Sequence, residues 1–340
     1  MKRLLVTGGL GFLGSNFIRR WRAHYPDSPV INVDCLTYAG GMDNLGPIRS
    51  SPGYVEFRTD VTDVRRLRNM WPKKPVTVVH FAAETHVDRS LLDAQPFVET
   101  NVIGTHLILE LSRRFPVERL IIVSTDEVYG PTPPRRKFNE AQALNPGNPY
   151  AASKASADLL ALAYQRTYNV PVVILRTVNV YGPRQYPEKF IPLFITHALS
   201  GKPLPLYGDG KQQRDWLWVE DFGEAVRLLV NARKPAYPVY HIAAGNCLRN
   251  LYVARAIIKL TGCPDELLRK VADRPGHDRR YALNDRRFRE EFGWTPGTNW
   301  TEGIKKTVDW YSNNKKWVNR RLGASFYEYY RRQYDWRLHG

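Results

Sequence analysis

The chain has 340 residues, is 43% hydrophobic and 24% charged, and carries a formal net charge of +17. This length suits one large α/β domain or two units sharing a cleft, and the composition is that of an ordinary globule rather than a disordered or fibrous chain. No stretch approaches the ~18 apolar residues of a membrane span, and the scattered Cys35, Cys247 and Cys263 and eight dispersed histidines give no disulfide framework and no zinc motif.

In chain order, strand-like runs "RLLVT", "PVINVD", "YVEFRTD", "VTVVHFA", "RLIIVST" and "VPVVILRT" alternate with helical patterns at 12–25, 96–114 and 149–168. Apolar, β-branched runs of this kind are strands buried on both faces. Repeated βα units with such strands predict a doubly wound, parallel Rossmann-type sheet. Beyond residue 179 the loops lengthen and fill with Gly, Pro, Arg and aromatics, and "VYHIAAG" near Val239 is expected to return to the sheet. The predicted division is 1–178 for the parallel-sheet unit (with a strand from 239–245), 179–312 for a smaller α/β unit, and 313–340 as a basic, aromatic extension. From residue 315 onward stand seven Lys/Arg, two acids and seven aromatics, loosely the composition of a surface on which bases stack, although basic side chains on solvated faces are the favoured explanation of the charge. At the start, glycines break the apolar run of "MKRLLVTGG" and no A-x-A site follows, so a cytoplasmic location is expected.

"VTGGLGFLG" joins the first strand to the first helix, with Gly8, Gly11 and Gly14 in a G-x-x-G-x-x-G spacing. Absent side chains let backbone approach a pyrophosphate, and the helix start offers unpaired N–H groups. Asp34 ends the second strand, where a carboxylate accepts ribose hydroxyls. No Lys or Arg lies between Asp34 and Arg49 to receive a 2′-phosphate, so NAD is expected rather than NADP. Asp60 could accept from an adenine amino group, though taken alone it reads as a cap for the helix that follows. Phe81, Ala82 and Ala83 end the fourth strand with small residues beside a dinucleotide.

The fifth strand runs into "STDEVYG", two adjacent carboxyls at the end of a deeply buried run. Buried carboxylates are costly unless paired, protonated or used. Downstream, "YAASK" puts Tyr150 and Lys154 at i and i+4 on one helix face. There an ammonium and a positive nicotinamide would make the phenol a usable base.

Together these motifs resemble the extended short-chain dehydrogenase/reductases. "HFAAETHVDRS", "STDEVYG", "YAASK", "YGPRQYPEKFIP", "YGDGKQQRDWLWVEDF" and "DRPGHDRRYAL" are similar to the nucleoside-diphosphate-glucose 4,6-dehydratases, over Lys2 to about Tyr311. The resemblance implies oxidation of the sugar at C4, loss of water across C5 and C6, and hydride return to C6. In that scheme Tyr150, with Lys154, takes the C4 hydroxyl proton, Thr125 bonds the C4 oxygen, Glu127 removes the C5 proton and Asp126 protonates the departing oxygen. It implies a cofactor set of Gly8, Gly11, Phe12, Leu13, Gly14, Asp34, Cys35, Leu36, Thr37, Asp60, Val61, Phe81, Ala82, Ala83, Thr100, Tyr150 and Lys154. It also implies a nucleotide-sugar set of Thr85, Thr125, Asn179, Lys189, Phe190, Pro205, Tyr207, Arg214, Asn250, Arg274 and His277, a homodimer, and no metal, membrane or nucleic-acid partner.

Three positions depart from the family pattern: Val180 for an asparagine, Cys247 for a glutamate and Arg184 for a tyrosine. The first two leave uridine open beside the favoured thymidine nucleotide. A sister epimerase or decarboxylase would share the glycine loop and Tyr150/Lys154 without needing Asp126 and Glu127. A non-catalytic NAD-binding protein with a nucleic-acid-binding tail would need none of the four.

Overall fold

The computed structural model describes residues 2–339. Seven parallel strands form its main sheet: β1 (Leu4–Thr7), β2 (Val30–Asp34), β3 (Tyr54–Arg58), β4 (Val76–His80), β5 (Val117–Thr125), β6 (Val172–Thr177) and β7 (Val239–Ile242). Their order is β7-β6-β5-β4-β1-β2-β3, every neighbouring pair parallel. Strand direction of travel across the sheet reverses between β1 and β4, and the crevice at such a switch point is where open α/β sheets bind ligands.

Strand alternation builds the two cores. Leu4 and Val6 of β1, Val79 of β4, Ile121 and Val123 of β5, and Val173 and Leu175 of β6 pack with the helices Phe12–His24 and Val219–Asn231. Leu5, Val78, Leu120, Ile122 and Ile174 point the other way, against the helices Thr105–Arg114 and Pro149–Tyr168. With both faces covered, no polar alternation survives, which is why the strands read as continuous apolar runs. The helix predicted at 96–114 is one helical path broken by a π-turn at Val98–Gly104, where Gly104 packs on Val61 and a Cβ would lie 2.6 Å from its Cγ2. π-turns often mark functional sites, and Thr100 sits in this one.

A third core, from residue 181 onward, gathers Phe194, Leu204, Trp216, Val253, Ile257, Trp300 and Ile304. Short strand pairs frame it: Leu204–Tyr207 with Leu268–Val271, and Asn179–Tyr181 with Trp216–Trp218. The basic C-terminal segment belongs to it as well. Trp317, Phe326, Tyr329 and Tyr334 are buried there, so these rings are not an exposed stacking surface. Among the described residues no helix is long and apolar enough to cross a membrane, and no group of three or more His, Cys, Asp or Glu could hold a metal ion.

Candidate active site

The carboxyl ends of β1, β2, β4 and β5 open into one cleft of ≈ 290 Å³. Its floor is the glycine turn. Gly8 has φ +71°, and a Cβ there would lie 2.7 Å from the Ala82 nitrogen, while a Cβ at Gly14 would lie 2.3 Å from the Gly8 oxygen. Gly11 begins the helix Phe12–His24 with no side-chain cap, which leaves the first N–H groups for a ligand. The cradle therefore fits a dinucleotide pyrophosphate.

Asp34 accepts from the Leu10 N–H at 2.8 Å and the Leu36 N–H at 2.7 Å, one bond per oxygen, with lone pairs left for ribose hydroxyls. Phe12, Leu13, Cys35, Thr37, Val61, Phe81, Ala82, Ala83 and Thr100 line the cleft with it. Leu36 does not: at φ +58° it turns toward the core behind Asp34. Asp60 lines the cleft and is not the helix cap. It accepts from the Thr62 N–H at 2.8 Å, while Asp63 caps the helix Val64–Met70.

At the other end β5 delivers Thr125, and a single 3₁₀ turn, Asp126–Tyr129, follows. The Thr125 hydroxyl donates to Asp126 Oδ1 at 3.3 Å and accepts from the Glu127 N–H at 3.2 Å. Burial, reinforced by the Glu127 charge, pushes the Asp126 carboxyl up to about 8, and its Oδ2 is buried without a partner. Asp126 is thus a protonated acid at neutral pH. Glu127 is half exposed to the cleft and is approached by Asn148 Nδ2 at 3.4 Å and the Tyr281 hydroxyl at 3.5 Å. Two adjacent carboxyls in unlike surroundings divide into an acid and a base.

Tyr150 and Lys154 both line the cleft, on the helix that Asn148 caps through the Ala151 N–H. The expected phenol–ammonium coupling differs in detail. Lys154 Nζ donates to the Val123 carbonyl at 2.7 Å, and burial lowers it to about 8 against the supporting charge of Asp158. Burial and the Glu127 charge push the Tyr150 phenol upward, and only the Thr125 hydroxyl acts against them. The protein alone therefore keeps the phenol protonated, and added positive charge must come from a ligand.

Of the predicted nucleotide-sugar residues, Thr85, Thr125, Asn179 and Lys189 line the cleft. Lys189 Nζ bonds the Thr85 carbonyl at 2.6 Å, and Asn179 Oδ1 is buried without a partner. Phe190, Pro205, Tyr207, Arg214, Asn250, Arg274 and His277 lie outside that lining. Two short relays join some of them to it. Arg214 sits 4.2 Å over the Tyr281 ring, whose hydroxyl reaches Glu127. Arg274 bonds Asp88 at 2.6 Å, as does the Tyr207 hydroxyl at 2.8 Å, and the Glu127 charge adds to the support of its guanidinium. His277 bonds Asp273 at 2.5 Å and sets its edge to Tyr207. Phe190 packs on Phe194, Pro205 lies in the strand Leu204–Tyr207, and Asn250 opens the helix Asn250–Thr261 with Oδ1 unpartnered.

Sequence reasoning overlooked Asn148, Tyr281 and Asp88. The latter two stand inside motifs quoted for other residues. Asn148 was signalled by its place before Pro149 at a helix start. Of the three departures, Val180 lines the cleft, Cys247 Sγ donates to the Tyr281 carbonyl at 3.3 Å, and Arg184 points away, 5.4 Å over Trp310.

A family model described as GDP-mannose 4,6 dehydratase matches residues 5–307. The chain is 44% identical over 319 residues to a dTDP-glucose 4,6-dehydratase of Streptomyces niveus, covering 93% of this chain and 94% of that protein. It is 40% identical to the dTDP-glucose 4,6-dehydratase of Salmonella typhimurium, covering 98% and 99%. That coverage corrects the expectation that the final thirty residues fall outside the resemblance, because only a few residues of the chain remain unmatched. Among solved structures, a Streptomyces venezuelae dTDP-glucose 4,6-dehydratase with NAD and TYD bound superposes with a TM-score of 0.90 at 44% identity, covering 94% of this chain and 99% of that one.

Proposed function

This chain belongs to the family of the GDP-mannose 4,6 dehydratase model, and we propose that it performs the NAD-dependent dehydration of dTDP-glucose to the 4-keto-6-deoxy sugar. One observation carries the reading above its rivals: Asp126 and Glu127 stand side by side at the end of β5, the first protonated by burial and the second open to the cleft, above the NAD cradle. Epimerisation or decarboxylation needs no such pair.

NAD, held by the glycine turn and Asp34, would supply what the side chains lack, a reversible hydride acceptor for sugar C4 and donor for C6. Gly8, Gly11 and Gly14 admit its pyrophosphate, and Asp34 takes a ribose. Tyr150 would remove the C4 hydroxyl proton, drawn toward phenolate by the positive charge that bound NAD brings, with Thr125 holding the oxygen. The resulting ketone acidifies C5–H. Glu127 takes that proton, Asp126 hands its own to the C6 oxygen, and water leaves. Glu127 then returns a proton to C5. Arg214, Arg274 and Lys189 suit a diphosphate.

Incubation with dTDP-glucose deuterated at C4 tests the whole scheme. The label is expected at C6 of a product showing the alkali-induced absorbance of a 4-keto sugar, and label in solvent would refute it. UDP-glucose run in parallel decides the base. Half-exposed Val98, Ile103 and Leu159, on the helical path 95–114 and the helix Pro149–Tyr168, support pairing of two copies, and sedimentation equilibrium of the wild-type chain measures it. Three free thiols fit a reducing cytoplasm.

A further inference from the structure

The C-terminal segment reaches the residues assigned to the nucleotide sugar. Asp88, buried, accepts from three elements at once: Arg274 Nη1 at 2.6 Å, the Tyr207 hydroxyl at 2.8 Å and the Tyr329 hydroxyl at 3.4 Å. Burial, the largest single influence, would raise its carboxyl, but Arg274, His86 and the Tyr207 hydroxyl together hold it well below the usual carboxylate range. Gln333, itself buried, donates from Nε2 to the Tyr207 hydroxyl at 2.6 Å. Tyr334 stacks on the Tyr207 ring at 5.8 Å and 23°. Tyr329 is gripped in turn by Arg89, 4.4 Å over its ring, and by the edge of His86 at 5.2 Å. Arg274 keeps one donor, Nε, buried and without a partner.

From this network we propose that Gln333 and Tyr329 are positioning residues of the nucleotide-sugar site, holding Tyr207 directly and Arg274 through Asp88 in the geometry that receives the nucleoside diphosphate. The inference rests on the reading that Tyr207 and Arg274 contact that ligand. A phenol fixed at its hydroxyl by Asp88 and Gln333, and across its ring by Tyr334, is already ordered before binding. So is a guanidinium tied to a fixed carboxylate. Ordering such side chains in advance lowers what association must otherwise cost. The segment 313–340 then serves affinity rather than the chemical step.

Steady-state kinetics on dTDP-glucose and calorimetric titration with dTDP test this in the NAD-loaded enzyme. Gln333→Leu is expected to raise KM ~2- to 10-fold, with the dTDP dissociation constant rising in parallel, because one buried hydrogen bond is lost. Turnover number and NAD content stay at wild-type values. Tyr329→Phe acts in the same direction and less, its bond being longer. Phe326→Leu trims a buried ring of the same segment that does not touch Tyr207, and should lower the melting temperature with KM unchanged. KM unaltered in both hydrogen-bond variants overturns the proposal. So does a fall in KM, which would make the segment a plug, or a rise as large with Phe326→Leu, which would mean general loosening. A wild-type enzyme inactive on dTDP-glucose would instead remove the functional reading beneath it.

Discussion

Around Gly8, Gly11 and Gly14 the wall of the cleft is backbone, whereas around Asp126 and Glu127, and in the Asp88–Tyr207 network beyond the lining, the site is side chains brought from distant parts of the chain. The cradle excludes Cβ atoms over a few consecutive residues and needs only β1, one turn and one helix start. The sugar end joins β5, the turn after it, the helix Pro149–Tyr168, residues 274–281 and the C-terminal segment. A backbone site is shape, and fails when a methyl is added. A side-chain site is chemistry, and fails when one proton-transfer group is exchanged.

The largest separation of the two ends should come from Glu127→Gln. Turnover to the 4-keto product is expected to fall ~10²–10⁴-fold, the usual contribution of a positioned acid or base, while NAD released from the purified variant equals wild type. Undiminished turnover would assign proton abstraction elsewhere and favour the epimerase reading. Gly14→Ala strikes the opposite end. Its methyl would meet the Gly8 carbonyl at 2.3 Å, so overpacking of about 1–3 kcal/mol is expected, with loss of bound NAD measured on the purified protein. Full cofactor content in that variant would show that the turn is not the pyrophosphate floor.

The smallest expected effect concerns Asp126 and pH. Its acid form persists up to about 8 in the folded protein, so turnover should hold below that pH and decline above it. The stability sign runs the other way. An ordinary aspartate in the unfolded chain loses its proton near pH ~4, but the folded one keeps it to about 8. Stability from this group is therefore whole below pH ~4 and is lost as pH rises through about 8. Asp126→Asn should melt several degrees above wild type at pH 8.5, the gap narrowing as pH falls and closing near pH ~4. A variant less stable at pH 8.5 would contradict the buried-acid assignment.

Much of this molecule was written locally. The seven strands, the helix Pro149–Tyr168, the glycine cradle, Asp34, the Asp126–Glu127 pair and the Tyr150/Lys154 pair each depend on residues close in the chain, where periodicity of burial and i, i+4 spacing act. Local pattern did not carry the partners of those residues. Whether Asp60 or Asp63 capped a helix turned on one backbone bend, and the lysine's bond to Val123 rather than to the phenol turned on how deep the helix sits against β5. Trp317, Phe326, Tyr329 and Tyr334 looked like a surface because seven basic residues surround them, yet they close a core. Composition records how many apolar rings a segment holds, not which neighbour will cover them. Asp88, Tyr207 and Gln333 lie more than a hundred residues apart in sequence, and only packing of the third core could bring one carboxylate, one phenol and one amide within hydrogen-bond reach.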